Sequence, residues 1–334
     1  MHISYWAPFF DKIATVKSVK NSIKSILIFN KSPVKIDLLN FFGEWSENKI
    51  QNSDNINSKL NYIDYYKKGL INKLPKNSFF KSRVSYIVLF FLGIFPLINY
   101  LKKNKIKLIS LTKEKSLIKK LSSTAELAFG MTLNSVRNIY LSSQSVKKGN
   151  WTYLPFIGRM MKNLNICTIG YGRLGKIYAK YCLNFGAKVF TYDPYIKIKN
   201  KRVKIIKNLQ KELNRFDVIS LNIHATKTNI NFLNKNLLNC LKKNVIIINT
   251  SRGEVVNERH LLSFLKKNRD AQYSADVISG EQKNYQENIM FKKFKKKTNQ
   301  ILLTPHIGGM TSDGQKMAYN HALDMLISFD KQNV

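Results

Sequence analysis

Leu164 to Gly175, LNICTIGYGRLG, decides the fold of this chain. Leu164 to Ile169 is a short, apolar, β-branched run, which predicts a strand. It leads directly into Gly170-Tyr171-Gly172-Arg173-Leu174-Gly175, and Lys176 to Phe185 follows with helical spacing at Ile177, Tyr181 and Phe185. In a strand, tight turn and helix of this kind the first glycine permits the turn. The second lets the backbone approach a pyrophosphate, and the third lets helix and strand pack closely, so the free N–H groups of the helix start face an anion. A second apolar run, Lys188 to Tyr192, ends at Asp193. An acidic side chain there meets the ribose hydroxyls of NAD and repels the extra phosphate of NADP. The alternative is a glycine-rich turn beside a solvated aspartate; the strand, helix and spaced Asp together favour a dinucleotide.

Downstream the pattern keeps alternating. Asp217 to Ile223 and Val245 to Asn249 are apolar strands separated by a helical stretch, Asn234 to Leu241, and a further helix is expected at Glu258 to Lys267. Such alternation predicts an α/β fold with a doubly wound, parallel Rossmann sheet. Ligands of these sheets sit beyond the carboxyl ends of the strands, where Asn222 to Thr226 and Thr250 to Gly253 fall.

Six stretches in order carry a resemblance: SSTAELAFGM (122–131), ICTIGYGRLGK (166–176), FTYDPY (190–195), INTSRGEVVNE (248–258), ADVISGE (275–281) and LLTPHIGGMT (302–311). On them, residues 106–334 resemble the D-isomer-specific 2-hydroxyacid dehydrogenases. The resemblance implies an NAD-dependent oxidoreductase moving a hydride between NAD(H) and a 2-hydroxy or 2-keto acid. It implies that Arg252 binds the substrate carboxylate and carbonyl, that His306 is the general acid/base and that Glu281 is its carboxylate partner. Gly170, Gly172, Arg173, Leu174 and Gly175 would hold the pyrophosphate and Asp193 the adenosine ribose. Thr250 and Asp276 would face the nicotinamide end, with Gly308 also at the cofactor; no metal is implied.

The residue types suit that chemistry. A guanidinium grips a carboxylate through a fork of charge-assisted hydrogen bonds. An imidazole beside a carboxylate stays protonated near neutral pH, where it can supply the proton that reduction of a carbonyl consumes. Taken singly, Arg252 reads more readily as a surface turn and His306 as a loop histidine, because isolated Arg and His are usually structural or solvated; their order and spacing favour the functional reading. Some positions depart from the family: Asn222 stands where many members carry His, His224 where they carry Pro, and Gln282 where Pro usually follows the glutamate. His260 and His321 are expected to be surface residues without partners.

The amino-terminal third departs further. The family's first hundred or so residues form a flavodoxin-like substrate domain, yet residues 1–105 lack its glycine-rich Asn-x-Gly-x-Gly segment. They read as a strand at His2 to Trp6, a helix at Thr15 to Phe29, a strand at Val34 to Phe41, a polar loop at Ser46 to Ser58, a strand near Leu60 to Tyr65 and a helix at Val84 to Leu101. SYWAPFF, ATVKSVKNSIKSI, VKIDLLNFFGEW and the LPKNSFFKSR to FPLINYLKKNK region resemble the amino-terminal half-domain of family-4-like glycosyltransferases. That implies a chimaera with three parts: a smaller α/β domain over 1–105, an NAD-binding domain over 106–308, and a carboxyl-terminal segment, 309–334, whose helix, Gly314 to Phe329, returns to the first domain. The join falls near Lys105-Ile106, before a strand at Ile106 to Leu111. An alternative function follows, a protein that holds NAD but is catalytically impaired because it lacks the family's substrate domain. Trp151 to Arg159 resembles the arm through which family members form homodimers.

Composition narrows the rest. The formal charge of +36 comes mostly from Lys scattered along the whole chain, with no basic face interleaved with aromatics, so a specific nucleic-acid partner is not expected. Weak attraction to anionic membrane surfaces is compatible with such a charge. Cys167, Cys182 and Cys240 lack metal or redox spacing and fit reduced thiols of a cytoplasmic protein. No signal peptide is read at the start. Ser85 to Leu101 is apolar but interrupted by Pro96 and Asn99, and short for a bilayer.

Overall fold

The computed structural model describes residues 2–6, 35–40, 60–64 and 114–331 apart from 197 and 297. The chain divides into two compact units, residues 1–114 with 317–334, and residues 115–316.

In the first unit β1 (His2–Trp6), β2 (Lys35–Asn40) and β3 (Leu60–Asp64) form a parallel sheet in the order β1-β2-β3. Ile3 lies opposite Ile36, and Ile36 opposite Leu60. All three fall on stretches that the sequence reads as strands. The helices expected at Thr15 to Phe29 and Val84 to Leu101, the strand at Ile106 to Leu111, the join near Lys105 and the apolar Ser85 to Leu101 run lie outside the described residues. His321 is not a partnerless surface histidine: its Nε2 lies 3.1 Å from Glu114 Oε2 in this same unit.

The second unit is built on a seven-stranded parallel sheet. Its strands are β4 (Asn165–Ile169), β5 (Lys188–Tyr192), β6 (Lys204–Ile205), β7 (Val218–Leu221), β8 (Ile246–Asn249), β9 (Gln272–Ala275) and β10 (Ile301–Leu303). Their order is β10-β9-β8-β7-β4-β5-β6. Strand order therefore reverses between β4 and β7, which opens a crevice at their carboxyl ends. The helices are α1 (Lys115–Lys120), α2 (Ser123–Arg137), α3 (Ile139–Val146), α4 (Arg173–Asn184), α5 (Leu209–Glu212), α6 (Lys235–Asn239), α7 (Glu258–Lys267), α8 (Glu281–Asn284) and α9 (Ile289–Lys295), with α10 (Ser312–Lys331) starting here and running into the first unit.

Helices cover both faces, which explains the near-continuous apolar strands. Successive strand residues point to opposite sides. Ile219, Leu221 and Ile247 enter one buried cluster with Leu213, Phe216 and Leu261. Val218 and Ile248 enter the other, with Ala128, Met131 and Tyr178 from α2 and α4.

Element ends moved for identifiable reasons. Helix α4 begins at Arg173, not Lys176, because Gly172 is its extended N-cap and Gly175 lies in its first turn. Strand β7 excludes Asp217, whose carboxylate accepts from Arg159 Nη1 at 2.8 Å, Lys242 Nζ at 2.7 Å and the Asn165 N–H at 2.8 Å. Burial alone would raise its pKa, yet these three donors hold it below the usual carboxylate value. Arg159 thereby fixes the base of the segment from Trp151 to Met160, in which Trp151 is 90% and Ile157 73% exposed. Among the described residues no helix is long and apolar enough to cross a membrane.

Candidate functional site

The glycine turn is fixed by packing from the protein side and open on the other. Gly170 has φ +92°, and a Cβ there would lie 2.4 Å from the Asn222 carbonyl oxygen, so both conformation and space require glycine. A Cβ on Gly175 would lie 2.2 Å from the Gly170 oxygen, which is how helix α4 comes close to β4. At Gly172 a Cβ would meet nothing within 4 Å. No neighbour in the fold demands that glycine, and a group approaching the backbone from outside would. The N-terminus of α4, twelve residues long, faces the same space and favours negative charge.

Asp193 sits at the end of β5, half-buried. Its Oδ2 accepts from the Tyr171 N–H at 2.7 Å and its Oδ1 from the Tyr195 N–H at 2.9 Å. The carboxylate thus steadies the turn as well as standing beside it. A carboxylate has about four acceptor sites, so two remain for hydroxyls of a ligand. Arg173 donates to the Leu121 carbonyl, and partial burial lowers its pKa. Leu174 is half-buried against the α2–α4 cluster.

A second group of side chains gathers beyond β8, β9 and β10. Arg252 is exposed and extended, directly after β8, and its Nη1 donates to the Ser251 carbonyl at 2.7 Å. Thr250 is 7% exposed. Glu281 Oε1 hydrogen-bonds His306 Nδ1, and its Oε2 accepts from the Ile278 N–H at 3.2 Å. That bond raises the His306 pKa; partial burial opposes it, the Glu281 and Asp276 charges add to it, and the Arg252 charge subtracts from it. Glu281 is thus bonded to the imidazole, and the charges of two further expected site residues, Asp276 and Arg252, act on it in opposite senses. His306 occupies the left-handed region at φ +55°, which is strained for a non-glycine residue. Asp276 holds it there.

Asp276 is 1% exposed and gathers the whole turn. Its backbone carbonyl accepts from the His306 N–H at 2.9 Å, its Oδ1 from the Thr304 hydroxyl at 2.5 Å and the Ile307 N–H at 2.8 Å, and its Oδ2 from the Gly308 N–H at 2.7 Å. A Cβ on Gly308 would lie 3.0 Å from that Oδ2 and 3.2 Å from Thr124 Cγ2, a tight fit in which those side chains would have to give.

Two carboxylates that the sequence reading passed over brace the site from behind. Glu258 accepts from the Ser279 N–H at 2.8 Å and from Asn288 Nδ2 at 2.7 Å, while Glu254 accepts from the Gly280 N–H at 3.0 Å. Burial, augmented by the Glu254 charge and opposed by its own two donors, raises the Glu258 pKa. A Cβ on Gly253 would lie 2.0 Å from the Ile278 carbonyl carbon. The loop carrying Arg252 and the loop carrying Glu281 are thus locked to each other. Both acids lie inside the INTSRGEVVNE stretch, but no spacing rule distinguishes a bracing acid from a solvated one.

Other histidines lie apart from this group. His224 is exposed on the loop after β7. His260 is half-buried and its Nδ1 accepts from the Lys235 N–H at 3.2 Å, so it too has a structural partner that the sequence did not indicate.

Comparison with known proteins gives the family of the second unit. The family profile described as "D-isomer specific 2-hydroxyacid dehydrogenase, NAD binding domain" matches residues 129–308. The D-lactate dehydrogenase of Streptococcus pyogenes serotype M1 is 30% identical over 218 residues, covering 63% of this chain and 66% of that protein. The D-3-phosphoglycerate dehydrogenase of Methanocaldococcus jannaschii is 29% identical over 199 residues, covering 59% of this chain and 37% of that protein. The chain thus spans between about a third and two thirds of the length of these relatives. Among solved structures, the D-lactate dehydrogenase of Aquifex aeolicus, complexed with NAD and lactic acid, superposes with a TM-score of 0.61 at 19% identity, over 99% of this chain and 95% of that one. At that identity the likeness concerns the fold.

Proposed function

We propose, from the premise that the chain belongs to the D-isomer-specific 2-hydroxyacid dehydrogenase family through an NAD-binding domain over residues 129–308, that it transfers a hydride between NAD(H) and a 2-hydroxy or 2-keto acid. The observation that most supports this is the hydrogen bond between the Glu281 carboxylate and the His306 imidazole, on a turn held to Asp276 and next to the loop that carries Arg252. A fixed cation, a proton donor and a carboxylate that keeps the donor charged are what carbonyl reduction needs.

NAD, when bound, supplies or accepts the hydride. Gly170, Gly172, Arg173, Leu174 and Gly175 hold its pyrophosphate, and the open space over Gly172 fits that role. Asp193 takes the adenosine ribose with its two free acceptor sites. Thr250 and Asp276 face the nicotinamide end, beside Gly308. Three of the Asp276 acceptor sites are filled, which leaves about one on Oδ2 for an amide N–H.

Arg252 grips the substrate carboxylate and orients the carbonyl. The Nδ1 of His306 is committed to Glu281, so Nε2 is the atom that passes a proton to the carbonyl oxygen during reduction and takes it back during oxidation. Purified protein should oxidise NADH in the presence of a panel of small 2-keto acids, followed by loss of nicotinamide absorbance. Asp193→Ala should weaken NADH by about 10- to 100-fold, from lost hydrogen bonds to a charged acceptor, and erase the preference over NADPH. Silence across the panel, or an unchanged preference in that variant, would refute the reading.

A second reading draws on the first unit. Among the described strands of that unit, β2 lies between β1 and β3. That order suits a Rossmann-like half-domain of the kind residues 1–105 resemble, and with it a chimaera that holds NAD with little turnover. NADH binding without oxidation by any 2-keto acid would select it.

Assembly and location belong to the same proposal. The exposed Trp151, Tyr153 and Ile157, on a segment anchored through Arg159, form a face suited to a second copy of the chain. Sedimentation should give the mass of two chains, and Trp151→Glu with Ile157→Glu should give that of one. The buried free thiols Cys167 and Cys182, the latter with its pKa pushed up to about 12 by burial, fit a reducing cytoplasm. The net charge favours weak, salt-sensitive contact with anionic lipid surfaces.

A further inference from the structure

Asn222 does not point toward the acid/base group. Its side-chain amide turns inward, where Nδ2 donates to Thr168 Oγ1 at 3.0 Å and to Ser220 Oγ at 3.0 Å. The Thr168 hydroxyl passes the polarity on, donating to the Gly170 carbonyl at 3.0 Å. Elsewhere in the same buried core the Tyr178 hydroxyl lies 2.8 Å from Thr132 Oγ1, and Thr132 donates to the Ala128 carbonyl at 2.9 Å. Thr132, Thr168, Tyr178 and Ser220 are each fully buried. The Thr168 proton goes to the Gly170 carbonyl, so its oxygen accepts from the Asn222 amide, and a carboxylate or an apolar side chain at position 222 could not supply that donor.

The backbone of the same residue grips the same turn. The Asn222 N–H donates to the Ile169 carbonyl at 2.7 Å, and its own carbonyl fills the space where a Cβ of Gly170 would go. The Gly170 carbonyl, held by Thr168, is also the atom against which Gly175 packs. Asn222 thus touches the cofactor turn in three ways without facing the open side.

We propose that Asn222 is a positioning residue for the dinucleotide, holding the Gly170 carbonyl through Thr168 so that the glycine turn keeps its shape before the cofactor arrives. Asn222 stands where many family members carry histidine, and its amide feeds both Thr168 and Ser220, whereas a neutral imidazole has a single N–H. The inference rests on the turn being the NAD site, and concerns affinity, not the proton transfer.

The test uses the full chain and NADH fluorescence titration, with thermal melting alongside. Thr168→Val keeps shape and removes the relay to Gly170; it and Asn222→Ala should each raise the Kd for NADH by about ten-fold, the loss of roughly one buried hydrogen bond. Tyr178→Phe removes the buried hydrogen bond to Thr132, away from the turn, and should lower the melting temperature while leaving the Kd within about two-fold. If wild type binds NADH and Thr168→Val binds as tightly, this inference fails and the cofactor site stands. If Tyr178→Phe weakens NADH as much as Thr168→Val, general stability is the cause and the inference again fails. If wild type binds no NADH, the cofactor site itself falls and takes the inference with it.

Discussion

His306→Ala should cut kcat for 2-keto acid reduction by about 10²- to 10⁴-fold, the usual worth of a positioned proton donor. Arg252→Ala should act differently, lowering kcat/KM by about 10²-fold, because it removes charge-assisted bonds that bind substrate as well as orient it. The pH profile carries the sign. Glu281 raises the His306 pKa, so the protonated donor persists above the ordinary imidazole value. Reduction should therefore hold at lower pH and fall as pH rises through that raised value. Glu281→Gln should move the fall toward lower pH, since the neutral amide no longer favours imidazolium. Oxidation of the 2-hydroxy acid needs the neutral ring and should show the opposite limb. Steady-state rates across pH 5–9 provide the check. Wild-type rates in His306→Ala, or an unmoved profile in Glu281→Gln, would remove the imidazole from the mechanism.

The second large effect is expected at Asp276. Alanine there would leave the buried Gly308 N–H and the Thr304 hydroxyl without their acceptor and free the Ile307 N–H. An orphaned buried donor costs about 1–3 kcal/mol, so the loss should be about 3 kcal/mol in total. For a unit of this size that corresponds to a melting point lower by roughly 5–10 °C. Activity should drop as well, because the Ile307 and Gly308 N–H groups that follow His306 would lose the carboxylate that holds their turn. Asp276→Asn is the informative control: its oxygen can keep two of the three contacts while its NH2 group faces a donor, so an intermediate melting point is expected. Differential scanning calorimetry with and without NADH separates the effects, since a cofactor that binds the folded state raises the transition by mass action. An Asp276→Ala protein that melts and turns over like wild type would show that the turn supports itself.

Much of the dinucleotide half of the site is legible in the chain because its requirements are local. Gly170 must adopt a positive φ, Gly175 must lack a side chain where a helix meets a strand, and the apolar run before them must be buried on both faces. Each of these writes itself into consecutive residues. The helix Glu258–Lys267 lies where the sequence reads one, and in the structure Asn257 caps it, accepting from the His260 N–H at 3.0 Å.

The bracing groups are not written that way. Glu258 reads as an ordinary first-turn acid until the fold brings Ser279 and Asn288 against it. Asn222 reads as a departure near the nicotinamide loop until its amide is found turned inward to Thr168. His321 and His260 read as loose surface residues, and both have partners far along the chain.

From its residues alone, the chain specifies a parallel, doubly wound sheet with a glycine turn at its centre and an acid at the end of the next strand. Periodicity and glycine placement are properties of neighbouring residues, and they act before any distant contact forms. Tertiary structure decided which side chains face one another: Glu281 against His306, Asp276 beneath the turn of His306, Asn222 behind Gly170. Those pairings join strands and loops that are remote in sequence, and a hydrogen bond depends on distance and direction in space, which linear order does not encode.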